Sequence, residues 1–130
     1  MKEILFLTLA EAIEIYSDQI KRYGGSQGIR DINLLSSAIA MPQASFYGEF
    51  LHNDIYKMAA AYAFHICQNH PFVDGNKRAA LASALVFLEM HGINVSDPKG
   101  RLYKDMIALA EGNVKKDELA EILRELHSKP

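Results

Sequence analysis

The 130-residue chain has a single cysteine, Cys67, so it holds neither an internal disulfide nor a cysteine-rich zinc site. This usage accords with a reducing cytoplasm, the expected location. Basic charge is not in excess: 14 Lys and Arg stand against 16 Asp and Glu, a net charge of −2. Direct nucleic-acid binding is therefore not expected. No run reaches the roughly 18 apolar residues of a membrane span. The nearest candidate, residues 79–90, is short and contains Glu89, so no membrane partner is expected. After Met1-Lys2-Glu3 only residues 4–7 are apolar, with no small-residue cleavage site behind them, and no signal peptide is expected. Internal repeats, low-complexity runs and linkers are also missing.

What is present is ordinary globular composition, 49% hydrophobic and 23% charged. The length suits one hydrophobic core, and residues 1–130 are expected to form one domain. Apolar residues recur with helical period almost throughout. Thr8 and Glu11 form a capping-box pattern that opens a helix to about Tyr23, stopped by Gly24-Gly25. Ile32, Leu34, Leu35, Ala38 and Ile39 predict a second, ending near Pro42. Residues 43–52 lack the period and read as a loop or small hairpin. Asp54 caps a third helix that Pro71 should end near Asn69 or His70. A fourth, residues 76–91, is apolar on nearly every face, which predicts a central, buried position. Asp97-Pro98 should open a fifth helix, to about Glu111. Asp117 and Glu118 suit the first turn of a sixth. The fold class is thus all-α: a bundle of about six helices around a central buried one, with a short flap.

The chemistry concentrates in residues 70–78, His-Pro-Phe-Val-Asp-Gly-Asn-Lys-Arg. One imidazole, one carboxylate, one glycine, one amide and two cations lie between two predicted helices. A helix N-terminus presents unpaired N–H groups and is an anion site. Lys77 and Arg78 are unfavourable for the dipole there, which makes sense if a phosphate chain binds nearby. Gly75 would let that chain approach the backbone. His70 suits a general base on a hydroxyl. Asp74 is a hard oxygen ligand suited to Mg²⁺. Asn76 is read as a contact for a phosphate oxygen or the target backbone, and Phe72 as the loop's anchor.

The segment resembles the Fic/Doc family, whose Fic branch carries His-x-Phe-x-(Asp/Glu)-Gly-Asn-Gly-Arg. Lys77 replaces the second glycine, as in the Doc branch. The resemblance also takes in Tyr23-Gly24-Gly25, Gly28-Ile29-Arg30-Asp31 through Pro42-Gln43, Leu85-Val86-Phe87-Leu88 with Gly92, and Ala110-Glu111-Gly112. It implies a toxin that moves the γ-phosphate of ATP to a protein hydroxyl, with elongation factor Tu as target and translation arrested. His70 would be the base, Asp74 the Mg²⁺ ligand, and Gly75, Asn76, Lys77 and Arg78 the nucleotide contacts. Gly75 is common to the Fic pattern, so AMP transfer stays open. A non-catalytic interaction module of the same fold is the third reading.

In Fic proteins the region matching residues 43–52 is a flap that holds the target by strand addition. Phe46, Tyr47 and Phe50 are expected to do so here. Some Fic proteins also carry an inhibitory (Ser/Thr)-x-x-x-Glu-(Gly/Asn) helix. Ser45 and Glu49 have the spacing but Phe50 follows, and Glu111-Gly112 is preceded by Ile107 where Ser or Thr is needed. Restraint is therefore expected from outside the chain, and the resemblance implies a separate antitoxin of the prevent-host-death type.

The remaining candidates have plainer readings. His65 lies five residues before His70, on another helix face, which argues against a zinc pair. It is read as a core or site-wall histidine. His52, His91 and His127 are read as surface or helix-end residues, and Cys67 as a buried apolar group. Tyr16, Tyr56 and Tyr62 are read as core, and the charges of residues 115–129 as a solvated face.

Overall fold

A computed structural model describes residues 3–127, and the sixth-helix charge Lys129 lies outside them. Among the described residues there are six α-helices: α1 Leu9–Tyr23, α2 Ile32–Ala40, α3 Ile55–Asn69, α4 Asn76–Met90, α5 Arg101–Ala110 and α6 Lys116–Glu125. A 3₁₀ turn, Met41–Gln43, follows α2. A two-residue-per-strand hairpin, β1 Ser45–Phe46 and β2 Glu49–Phe50, precedes α3. None of these helices is long and apolar enough to cross a membrane.

The helix starts follow from short-range chemistry. At α1 the Thr8 hydroxyl accepts from Glu11 N–H, and Glu11 returns a bond to Thr8 N–H. Asp31 and Asp54 cap α2 and α3 by accepting from backbone N–H groups of the first turn. The hairpin is antiparallel, pairing Ser45 with Phe50 and Phe46 with Glu49. Its two-residue turn places Tyr47 at φ 51° and Gly48 at φ 80°, the positive angles that match strand twist. The fifth helix starts later than the sequence suggested. Gly100 sits at φ 63°, outside helical space. Asp97 reaches past the intervening turn to accept from Arg101 and Leu102 N–H.

The central helix is α3 rather than α4. It packs on α2, the 3₁₀ turn, α4, α5 and α6, and nine of its 15 residues are buried. Alanines on both helices, Ala59, Ala60 and Ala63 on α3 with Ala79, Ala80 and Ala84 on α4, are fully buried and let the two axes approach closely. The wide apolar surface of α4 has a second use. Leu81, Ala82, Leu85 and Val86 are only half-buried, and they line open clefts against α1 and α5.

The extended N-terminal segment lies across this pair. Leu7 N–H donates to the buried Tyr62 hydroxyl at 2.8 Å, and the Phe6 ring stacks on Phe87. Tyr16, Tyr56 and Tyr62 are core residues, as expected, and Cys67 is buried. Burial pushes the Cys67 thiol up, against the nearby Lys77 charge, so the thiol form dominates at neutral pH.

Two surface assignments are corrected. His52 is buried, 8% exposed. Lys116 is not on the solvated face: its Nζ lies 3.0 Å from His52 Nε2 and 3.3 Å from His65 Nε2. The rest of α6 carries charge outward, with Arg124 bridging to Asp54 at 2.9 Å and to Glu121 at 3.3 Å.

Candidate active site

The chain reverses between α3 and α4, and the reversal builds the site. Pro71 has no N–H and disfavours helix in the residue before it, so α3 stops at Asn69 and His70 takes the left-handed conformation, φ 50°, ψ 53°. Five residues later Gly75, at φ 74°, starts α4. The backbone angle favours glycine there, and a β-carbon would also press on the Ile20 side-chain tip, 2.9 Å from its Cδ1. No side chain caps α4, and its first N–H groups, those of Asn76, Lys77 and Arg78, are the ones a helix leaves unpaired.

Between His70 and Gly75 the loop is closed from within. Phe72 is buried, its ring stacked parallel on Tyr16 at 3.9 Å between centroids. The Asn76 side chain is 5% exposed. Its Oδ1 accepts from Phe72 N–H and its Nδ2 donates to Phe72 C=O, both at 2.9 Å. This corrects the reading of the Asn76 amide as a phosphate contact: the amide ties the loop to α4, and what Asn76 offers a ligand is its backbone N–H.

A second segment, residues 24–31, braces the loop from outside, a role the sequence did not reveal beyond Gly24-Gly25 as the stop of α1. Val73 N–H donates to Gly28 C=O, and Arg30 and Asp31 N–H both donate to Pro71 C=O. Ser26 N–H donates to Asp74 Oδ2 at 3.1 Å, and Arg78 Nη1 to Gly24 C=O at 3.2 Å. Tyr16 pins the brace in turn, its hydroxyl accepting from Gly28 N–H at 2.6 Å. Arg30 donates to the carbonyls of His70 and Asn69. The signal was present in the sequence as glycines followed by Arg30-Asp31, but its partners lie some 40 residues away.

The result is a small polar pocket, about 150 Å³, lined by His70, Val73, Asp74, Gly75, Asn76, Lys77, Arg78 and Tyr103. His70 is exposed to it. Asp74 is exposed too. The Ser26 and Gly75 N–H groups it accepts hold its carboxyl below the usual range, with Arg78 nearby, so it is an anion at neutral pH. Among the described residues no three His, Cys, Asp or Glu side chains gather into a metal cage. A magnesium ion needs no such cage, since one or two carboxylates with substrate phosphates usually hold it. Asp74, ionised beside the open start of α4, has the donor chemistry for it.

Arg78 and Tyr103 border a second, larger cleft of about 560 Å³, whose walls include Gln19, Tyr23, Leu81, Ala82 and Leu85. The Arg78 guanidinium lies over the Tyr23 ring, 5.8 Å from its centroid. The flap residues line neither cavity. Phe46 and Tyr47 are 65% and 92% exposed at the tip, packed edge-on at 4.4 Å. Phe50 instead meets the Phe6 ring at 5.6 Å and so anchors the flap to the core.

The chain has clear relatives. Its residues 6–88 match the Fic/DOC family. It is 40% identical over 74 residues to Toxin Doc of Mycolicibacterium smegmatis, 57% of each chain. It is 33% identical over 117 residues to Protein kinase doc of Escherichia phage P1, 90% of this chain and 91% of that one. The match thus spans little more than half of the mycobacterial protein but nearly all of the phage protein. By the family match and the length of the second alignment, the chain belongs to the Fic/DOC family.

Proposed function

We propose that this protein is a toxin that transfers the γ-phosphate of ATP to a serine or threonine hydroxyl of a protein target. The observation that carries the reading is the convergence of His70, the Asp74 carboxylate and the N-terminus of α4 on one pocket. A ring nitrogen of His70 takes the proton from the target hydroxyl. The hydroxyl oxygen forms a bond to the γ-phosphorus as the bond to the ADP oxygen breaks, and ADP leaves. Backbone N–H groups of Asn76, Lys77 and Arg78 and the cations of Lys77 and Arg78 stabilise charge on the transferring group. Asp74 would hold Mg²⁺, which when bound with the nucleotide neutralises phosphate charge.

Phosphate rather than AMP is favoured by Lys77. Where the Fic pattern has a glycine against which a diphosphate can press, a half-buried lysine side chain stands and adds a charge. The relative named as a protein kinase supports the same choice. Incubation with elongation factor Tu, the expected target, then mass spectrometry separates the readings. One added phosphoryl group supports this one, one added AMP supports the Fic reaction, and an unmodified factor removes the target assignment.

A toxin needs restraint, and a separate antitoxin of the prevent-host-death type fits the apolar cleft between α1, α4 and α5. Leu81, Ala82 and Leu85 offer an apolar floor to an amphipathic helix, and Glu11 and Glu14 on α1 an acidic rim beyond Ala82 and Val86. Because Arg78 and Tyr103 border both cavities, a helix seated there would cover the edge of the phosphate pocket. Expression of the chain alone in a bacterial host should arrest growth, and His70→Ala should abolish the arrest. Normal growth with abundant folded wild-type protein would contradict the toxin reading.

A further inference from the structure

We propose that Arg30 is the positioning residue for the His70 base, a clamp on the end of α3 that holds His70 in its left-handed conformation. The inference rests on the reading of His70 as the base. Arg30 makes three hydrogen bonds to three consecutive residues. Its Nε donates to His70 C=O at 2.7 Å and its Nη2 to Asn69 C=O at 3.1 Å. Its own N–H donates to Pro71 C=O at 2.7 Å, and Asp31 N–H shares that acceptor at 3.0 Å.

The clamp meets two needs at once. The last carbonyls of a helix lack intrahelical donors, and the guanidinium supplies donors to two of them. A cation also complements the negative C-terminal end of α3. Among the described residues no carboxylate pairs with Arg30, so its charge is directed at this helix end. The second need is conformational. His70 carries a β-carbon yet sits at φ 50°, ψ 53°. A residue other than glycine stays there only when its surroundings hold it. Arg30 fixes the peptides on both sides of His70 and lines neither cavity, so it acts through His70 and not on the nucleotide. A base displaced by about 1 Å loses roughly 10²-fold in rate.

The test uses the full chain as wild type, Arg30→Ala, Arg30→Lys and Arg30→Gln. Transfer from γ-labelled ATP is measured alongside the NMR backbone shifts and HN–Hα coupling of His70. Arg30→Ala should lower kcat about 10- to 100-fold while the KM for ATP stays within about twofold, and Arg30→Lys should recover part of the loss. In Arg30→Ala the His70 signals should leave the left-handed region. An undiminished kcat in Arg30→Ala, or a defect confined to KM, would overturn the proposal. Should Arg30→Ala unfold, Arg30→Gln carries the test, and wild-type kcat in it overturns the proposal. If the wild type transfers nothing, the base reading fails and the NMR result decides alone: left-handed His70 signals in Arg30→Ala overturn the clamp.

Discussion

Asn76 and Phe72 close a hydrogen-bonded ring, the amide of one accepting from and donating to the backbone of the other at 2.9 Å. The ring is buried and joins the first turn of α4 to the middle of the loop. It fixes where His70 and Asp74 stand relative to the helix N-terminus that faces them.

Asn76→Ala should therefore act first on stability. It leaves a buried N–H and a buried C=O of Phe72 without partners, at a cost of about 2–4 kcal/mol. Urea unfolding measures it. A loss below about 0.5 kcal/mol, within the range of surface substitutions, combined with a large rise in the KM for ATP, would return Asn76 to the phosphate contacts.

Most helix ends and the hairpin were legible in the sequence because their causes are local, the start of α5 excepted. Thr8 with Glu11, Asp54 and Pro71 each act within a few residues. The loop was legible as chemistry because its reactive groups are contiguous. What sequence could not supply was partnership at long range. The amide of Asn76 looks the same whether it meets a phosphate or Phe72. The brace of residues 24–31 gains meaning only against His70 and Asp74. The near-uniform apolar surface of α4 suggested a central position, yet part of it faces an open cleft. Lys116 read as a solvated charge because nothing local places it between His52 and His65.

Asp74→Asn should raise the Mg²⁺ concentration for half-maximal transfer by about 10- to 100-fold, since a neutral amide is a poor ligand for a hard cation. The fold should persist, although the single amide oxygen can accept from only one of the Ser26 and Gly75 N–H groups that Asp74 now holds with two oxygens. An unchanged magnesium titration would remove Asp74 from the metal site.

Gly25→Ala tests the brace. Gly25 sits at φ 120°, and a β-carbon there would lie 2.8 Å from Asp74 Oδ2. Strain of about 1–3 kcal/mol is expected, with Asp74 displaced. The melting temperature should fall and the magnesium requirement rise together. A variant as stable as wild type with unaltered magnesium dependence would show that the brace does not set Asp74.

Stability should fall as pH drops from about 6.5 to 4. Burial, then the Lys116 and His52 charges, push His65 down to about 4. Burial and Lys116 also lower His52, with Lys57 adding to the effect and Asp117 opposing it. Unfolded histidines titrate near 6.5, so in this window the unfolded chain binds more protons and stability rises with pH. The His65 share is roughly 1–3 kcal/mol. Urea unfolding across the window should show a shallower pH slope for His65→Gln than for wild type. Equal slopes would remove His65 as the source.

The central claim is that His70 drives transfer of the terminal phosphate of ATP to protein. The direct measurement is incorporation of label into cell-extract proteins from ATP labelled at the γ- or the α-phosphate, with wild type and His70→Ala compared. Label should pass from the γ position alone, and His70→Ala should reduce it by about 10²–10⁴-fold while remaining folded. Label passing from the α position, or full activity in folded His70→Ala, would contradict the account.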